Sequence, residues 1–94
     1  MEFIRVVAPD TRFASEALEW ALDREIDLAR MAVQVSKERV KEFEERYGRK
    51  LRSALSSPER IDEIDLAEWE GEVMALDRLK RKVAALKEIR IWHE

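Results

Sequence analysis

The sequence predicts an all-α fold, an antiparallel hairpin of two long helices with a short connecting helix, and three observations carry that expectation. Only two Gly and two Pro occur among 94 residues, so the chain has few places to turn. Apolar residues recur three and four apart along both long stretches, the period of a helix with one greasy side. Charged residues make up 41% and apolar residues 46% of the chain, a balance that suits long amphipathic helices and argues against disorder. A two-helix hairpin has one line of contact and no enclosed core, so this single domain, residues 1–94, is expected to be completed by dimerisation.

Residues 1–9 form an arm or strand. Phe3, Ile4, Val6 and Val7 make a β-rich cluster too short for a helix and closed by Pro9. Glu88-Ile89-Arg90-Ile91-Trp92 at the other end has a similar alternation, so the two ends can pair as strands, within one chain or across a dimer, or the tail can be a frayed helix end.

Residues 10–47 read as one long helix, with Asp10 as its N-cap and Gly48 as its left-handed stop. Its seam follows a heptad: Ile26, Val33, Val40 and Tyr47 recur every seven residues, with Leu22, Ala29, Ser36 and Phe43 four positions ahead of them. The small Ala29 and Ser36 predict a closely approaching neighbour. The first half is apolar beyond that seam, and Phe13, Leu18, Trp20, Leu28, Met31 and Val35 are the expected partner or dimer interface. Trp20 in particular lies off the seam, open to self-packing or to a different partner.

Residues 48–64 are a connector. Leu51, Ala54 and Leu55 suggest a short helix, and Ser57-Pro58 reads as a cap followed by a first helical position. The second long helix, 65–90, is expected to open with Asp65 as N-cap, Glu68 completing a capping box, and Ile64 stapled to Trp69. Trp69, Val73, Leu76, Val83 and Leu86 form its side of the seam. Gly71 inside this helix predicts a close approach, with the ring of Tyr47 or Phe43 fitting there.

Charge and residue types exclude several functions. With no Cys there are no disulfides and no cysteine-bearing metal motifs. The single histidine, His93, sits beside the terminus, so no catalytic, cofactor or metal site is expected. Glu68 and Glu72 share a helix face but lack the Glu-x-x-His pairs of a di-iron bundle and read as a solvated surface. A net charge of −3 opposes broad nucleic-acid binding. The acids between Glu59 and Glu72 and the bases between Arg78 and Arg90, including Lys80, Arg81, Lys82 and Lys87, suit the dipole of one helix. A ribbon-helix-helix DNA binder would need a break in the long helix and more basic strand residues than Arg5. No segment is apolar enough for a membrane span or a secretory signal, so a cytoplasmic protein is expected.

Residues 29 to 90 carry a further pattern. Phe43-Glu44-Glu45-Arg46-Tyr47-Gly48 ends the long helix, a short helix and an acidic stretch follow, and Leu66-Ala67-Glu68-Trp69-Glu70-Gly71-Glu72 precedes the Leu-rich segment from Leu76 to Lys80. This order resembles small archaeal and bacterial helical proteins regarded as antitoxin-like partners of toxins encoded beside them. The resemblance implies an inhibitor that masks a cognate toxin-like partner through helical contact, and the residues themselves lead to the expectation of a non-enzymatic homodimer. Two other functions fit the residues: a self-assembling coiled-coil structural or chaperone-like subunit, and a DNA-binding regulator.

Overall fold

A computed structural model describes residues 2–93, with side chains described over 3–91. The elements are β1 (Glu2–Val6), α1 (Thr11–Tyr47), α2 (Leu51–Ser56), α3 (Glu63–Lys87) and β2 (Ile89–His93). The two long helices pack antiparallel as a hairpin, α2 covers its closed end, and the strands pair at its open end. The result is a rod of 62 × 19 × 17 Å.

Helix α1 starts where the Asp10 carboxylate accepts the Phe13 N–H at 2.9 Å, filling an orphan donor of the first turn. It stops at Gly48, whose φ of 66° is cheap only without a Cβ. Ala29 and Ser36 are buried, and their small side chains let α3 lie close. Glu72 of α3 is anchored at this narrow point, accepting the Ser36 hydroxyl at 3.2 Å and an Arg39 guanidinium N–H at 3.1 Å. Glu72 therefore belongs to the seam and not to a solvated surface, because a small serine leaves room for a carboxylate to reach over it.

The best-buried part of the molecule lies near the closed end. Trp69 is fully buried, and the rings of Phe43 and Tyr47, one helical turn apart on α1, stack on its indole at 5.8 and 5.9 Å between centroids. Buried Ala54 and the flanking Leu51, Ile61, Leu66 and Val73 complete the cluster. These rings go to Trp69 and not to Gly71. A Cβ built on Gly71 meets nothing within 4 Å, which corrects the expected close approach.

The start of α3 also differs from expectation. Asp62 is the N-cap, accepting the Ile64 and Asp65 N–H groups at 2.9 and 3.1 Å. Asp65, one turn inside, is drawn to α1 instead: it accepts the Tyr47 hydroxyl, and an Arg46 guanidinium N–H at 2.9 Å. Ile64 stays 69% exposed, so it forms no staple with the buried Trp69. Ser57 is the C-cap of α2, and Pro58 opens a turn closed by the Ile61 N–H on its carbonyl at 3.1 Å, so Pro58 starts no helix. Arg60 in that turn takes the left-handed conformation with φ 70°.

Helix α3 ends at Lys87, short of the expected boundary, because residues 89–93 leave as a strand. β1 and β2 pair in parallel within the one chain, Phe3 opposite Arg90 and Ile4 opposite Ile91. Both strands contact the first part of α1, where Val6 and Ser15 are buried.

Substitutions at Trp69, Gly71 and Asp65, and a change of pH, check this packing. Trp69→Ala should cost about 3–5 kcal/mol in urea unfolding. Trp69→Phe should cost less than half of that, because the indole N–H finds no acceptor among the described residues and its loss relieves a buried unpaired donor. Gly71→Ala, on an open helix surface, should stabilise by about 1 kcal/mol and raise Tm. The hydrogen bond from Tyr47 and then that from Arg46 hold the Asp65 carboxyl below its ordinary pKa. Its stabilisation is therefore complete above the unfolded value of about 4 and lost as pH falls through the lower folded value. The urea midpoint should drop between neutral and acid pH, and Asp65→Asn should flatten that drop.

Candidate interaction surface

Helix α1 has two apolar sides, and α3 covers one. The seam residues of α1, Leu22, Ile26, Ala29, Val33, Val40, Phe43 and Tyr47, are buried or half-buried, as are Trp69, Val73, Leu76, Val83 and Leu86 of α3. Away from α3 the first half of α1 carries Phe13, Trp20, Leu28, Met31 and Val35. At 3.6 residues per turn these fall within an arc of about 80°. Phe13, Trp20 and Met31 are 69%, 65% and 65% exposed, and Leu28 and Val35 about half.

The stripe has a defined outline. Ala17 lies in it as a low point, Ala21 just beyond its edge, and Arg24 at its middle, where the guanidinium sits 5.6 Å over the Trp20 ring and covers part of that face. Beyond Val35 the same face continues as Glu38 and Glu42, both exposed, so the apolar surface ends sharply. Leu18 does not belong to it. Helical spacing puts Leu18 on the side of buried Ser15 and half-buried Leu22, and it keeps 42% of its surface. Arg24 is the member that a search for apolar side chains passes over, although its position in the three-and-four spacing could have found it.

Among the described residues the other exposed large apolar side chains are Leu55, Ile64 and Met74, spread over the hairpin, and Phe3, Ile4 and Val7 at the strand end. An open groove of about 520 Å³ lies between α1 and α3, lined by Arg39, Phe43, Arg46, Gly71 and Glu72. Its two arginines are each held by a carboxylate, Arg39 by Glu72 at 3.1 Å and Arg46 by Asp65 at 2.9 Å, and Glu42 and Glu68 add only acidic side chains to the lining. Among the described residues no group of three acidic or histidine side chains could hold a metal ion. The expectation for the His93 side chain lies outside the described residues.

The basic strip of α3 is partly neutralised within the chain. Lys82 meets Glu25 of α1 at 2.7 Å, and Arg81 meets Asp77 at 3.1 Å. These ion pairs are exposed and contribute little to stability, but they lower the positive potential that a nucleic acid would meet. Among the described residues no helix is long and apolar enough to cross a membrane. No protein-family model, curated protein or solved structure matches the chain.

Proposed function

We propose that the protein is a non-enzymatic interaction module that docks another protein chain on the outer face of α1. One observation carries this reading: a stripe of five large apolar side chains lies bare on a helix whose opposite face is already filled by α3. A hairpin needs only one apolar side per helix to close, so the second side is surplus to the fold. Monomeric soluble proteins seldom carry a contiguous apolar run of this kind without a partner for it. The aromatic residues and the arginine at its centre are the types that anchor protein interfaces.

The resemblance of residues 29 to 90 to antitoxin-like proteins supports the same class, a cytoplasmic protein that masks a partner through helical contact. The residues that would meet the docked chain, a second copy or a different protein, are Phe13, Trp20, Leu28, Met31 and Val35. Self-assembly is the second reading, favoured by the internal symmetry of the stripe set out below. Nothing comparable favours a DNA-binding regulator, given the paired Arg81 and Lys82.

The double substitution Trp20→Ser with Met31→Glu separates docking from folding. Because both side chains are exposed, helical circular dichroism should be unchanged and stability should move by no more than about 0.5 kcal/mol. Association should be lost, read as sedimentation of the chain alone and as co-purification with the product of the neighbouring gene. A double variant that associates as well as the parent, or a parent that associates with nothing and binds no apolar dye, removes the proposal.

A further inference from the structure

The stripe on α1 is symmetric about its own middle. Its members are Phe13, Ala17, Trp20, Arg24, Leu28, Met31 and Val35, and successive spacings run four, three, four, four, three, four. Read backwards from Arg24, the order of steps is the same. A surface of this kind presents the same outline to a partner helix running in the opposite direction, which is the requirement of an isologous two-fold contact.

We propose that the stripe is closed by a second copy of this chain, its α1 laid antiparallel across the first on a two-fold axis beside Arg24. The proposal rests on the docking reading above and names its occupant. Reversal about Arg24 sets Phe13 against Val35, Ala17 against Met31 and Trp20 against Leu28 of the second copy. Each pairing joins unequal volumes: the long Met31 enters the low point left by Ala17, and each aromatic ring meets an aliphatic side chain. A parallel, in-register copy would set every residue against itself, with Ala17 on Ala17 leaving a void and Trp20 crowding Trp20. Close packing therefore selects the antiparallel arrangement.

Reversal about Arg24 also brings the two Arg24 guanidinium groups together at the axis, so this register needs a carboxylate beside them. Arg24 is the one charged residue inside the stripe, and Asp27 borders it, one turn along and exposed. In the antiparallel register Asp27 of the second copy comes level with Ala21 on the Trp20 edge of the stripe, one turn from Arg24, and the axis makes that pair twice. The Arg24 guanidinium, already over the Trp20 ring, has in Asp27 of the second copy an acceptor for its remaining N–H groups. Glu38 and Glu42 oppose a slip of one heptad in one direction, which would set Glu42 on Phe13 and Glu38 on Ala17. Two copies satisfy the whole stripe, so the assembly closes as a dimer and does not grow into a filament.

The chain has no cysteine, so introduced thiols report the geometry without interference. Full-length Ala17→Cys and Met31→Cys proteins, mixed and treated with a short bis-maleimide, should cross-link to each other. Either alone should not, because like positions then lie ~21 Å apart along the axis. Arg24→Cys alone should cross-link to itself. In sedimentation the parent should be a dimer, and Met31→Glu, counted twice by the symmetry, should weaken it at least about a hundredfold. Self-cross-linking of Ala17→Cys alone, or a dimer indifferent to Met31→Glu, overturns the proposal. So does a monomeric parent at high micromolar concentration. If that monomer binds an apolar dye that Met31→Glu abolishes, the docking reading survives with a different occupant. If it binds none, both readings fail together.

Discussion

Stacking of Phe43 and Tyr47 on Trp69 fixes the register of the hairpin, and most of the rest follows from that register. With Trp69 seated there, Glu72 comes level with Ser36 and Arg39, and Lys82 with Glu25. Helix α3 has 25 residues and α1 has 37, so α3 runs out before the start of α1. The bare first turns of α1 are then covered from one side by the two strands, over Val6 and Ser15. The placement of one indole thus decides where β2 can meet β1 and which part of α1 is left without a helical neighbour.

The open end is built more thinly than the closed end. A two-stranded sheet has little stability of its own, and parallel pairs are usually covered on both faces. Here Phe3 and Val7 are exposed, and beneath the strands the Ser15 hydroxyl is buried without a partner among the described residues. Such a region opens at low free-energy cost compared with the Trp69 cluster. A chain bound along the outer face of α1 would stiffen the helix where its own fold supports it least, and by linkage would raise the stability of that end.

Local signals in the sequence located what local physics decides. Asp10 and Gly48 bound α1 because a cap and a left-handed stop need only their own residues, and the heptad from Leu22 to Tyr47 marks the seam because α3 packs along it. The start of α3 was not legible in that way. Asp62 and Asp65 are both competent caps, and the choice is made by Tyr47 and Arg46, which are distant in sequence and claim Asp65 for a tertiary bond. Glu72 looks solvated from the sequence alone for the same reason, since its partners lie on the other helix. Parallel pairing of the ends depends on where α3 stops, a long-range consequence that alternating residues at 2–6 and 88–92 cannot encode. Hydrophobicity alone groups Leu18 with the exposed stripe, whereas helical spacing assigns it to the side of Ser15.

The two sides of α1 differ in what the sequence invested in them. The inner side uses small residues, Ala29 and Ser36, so that backbones approach and polar groups pair across the seam. The outer side uses large apolar side chains around one alanine and a single arginine, and it stops at Glu38 and Glu42. If the outer side were only tolerated exposure, apolar residues would be scattered along α1, including past Val35, where the solvated helix carries Lys41, Glu42, Glu45 and Arg46. Instead they keep a strict three-and-four spacing over residues 13–35 and are absent from that face afterwards. Periodicity of that kind is kept where a second surface reads it, because water imposes no spacing on the residues it meets.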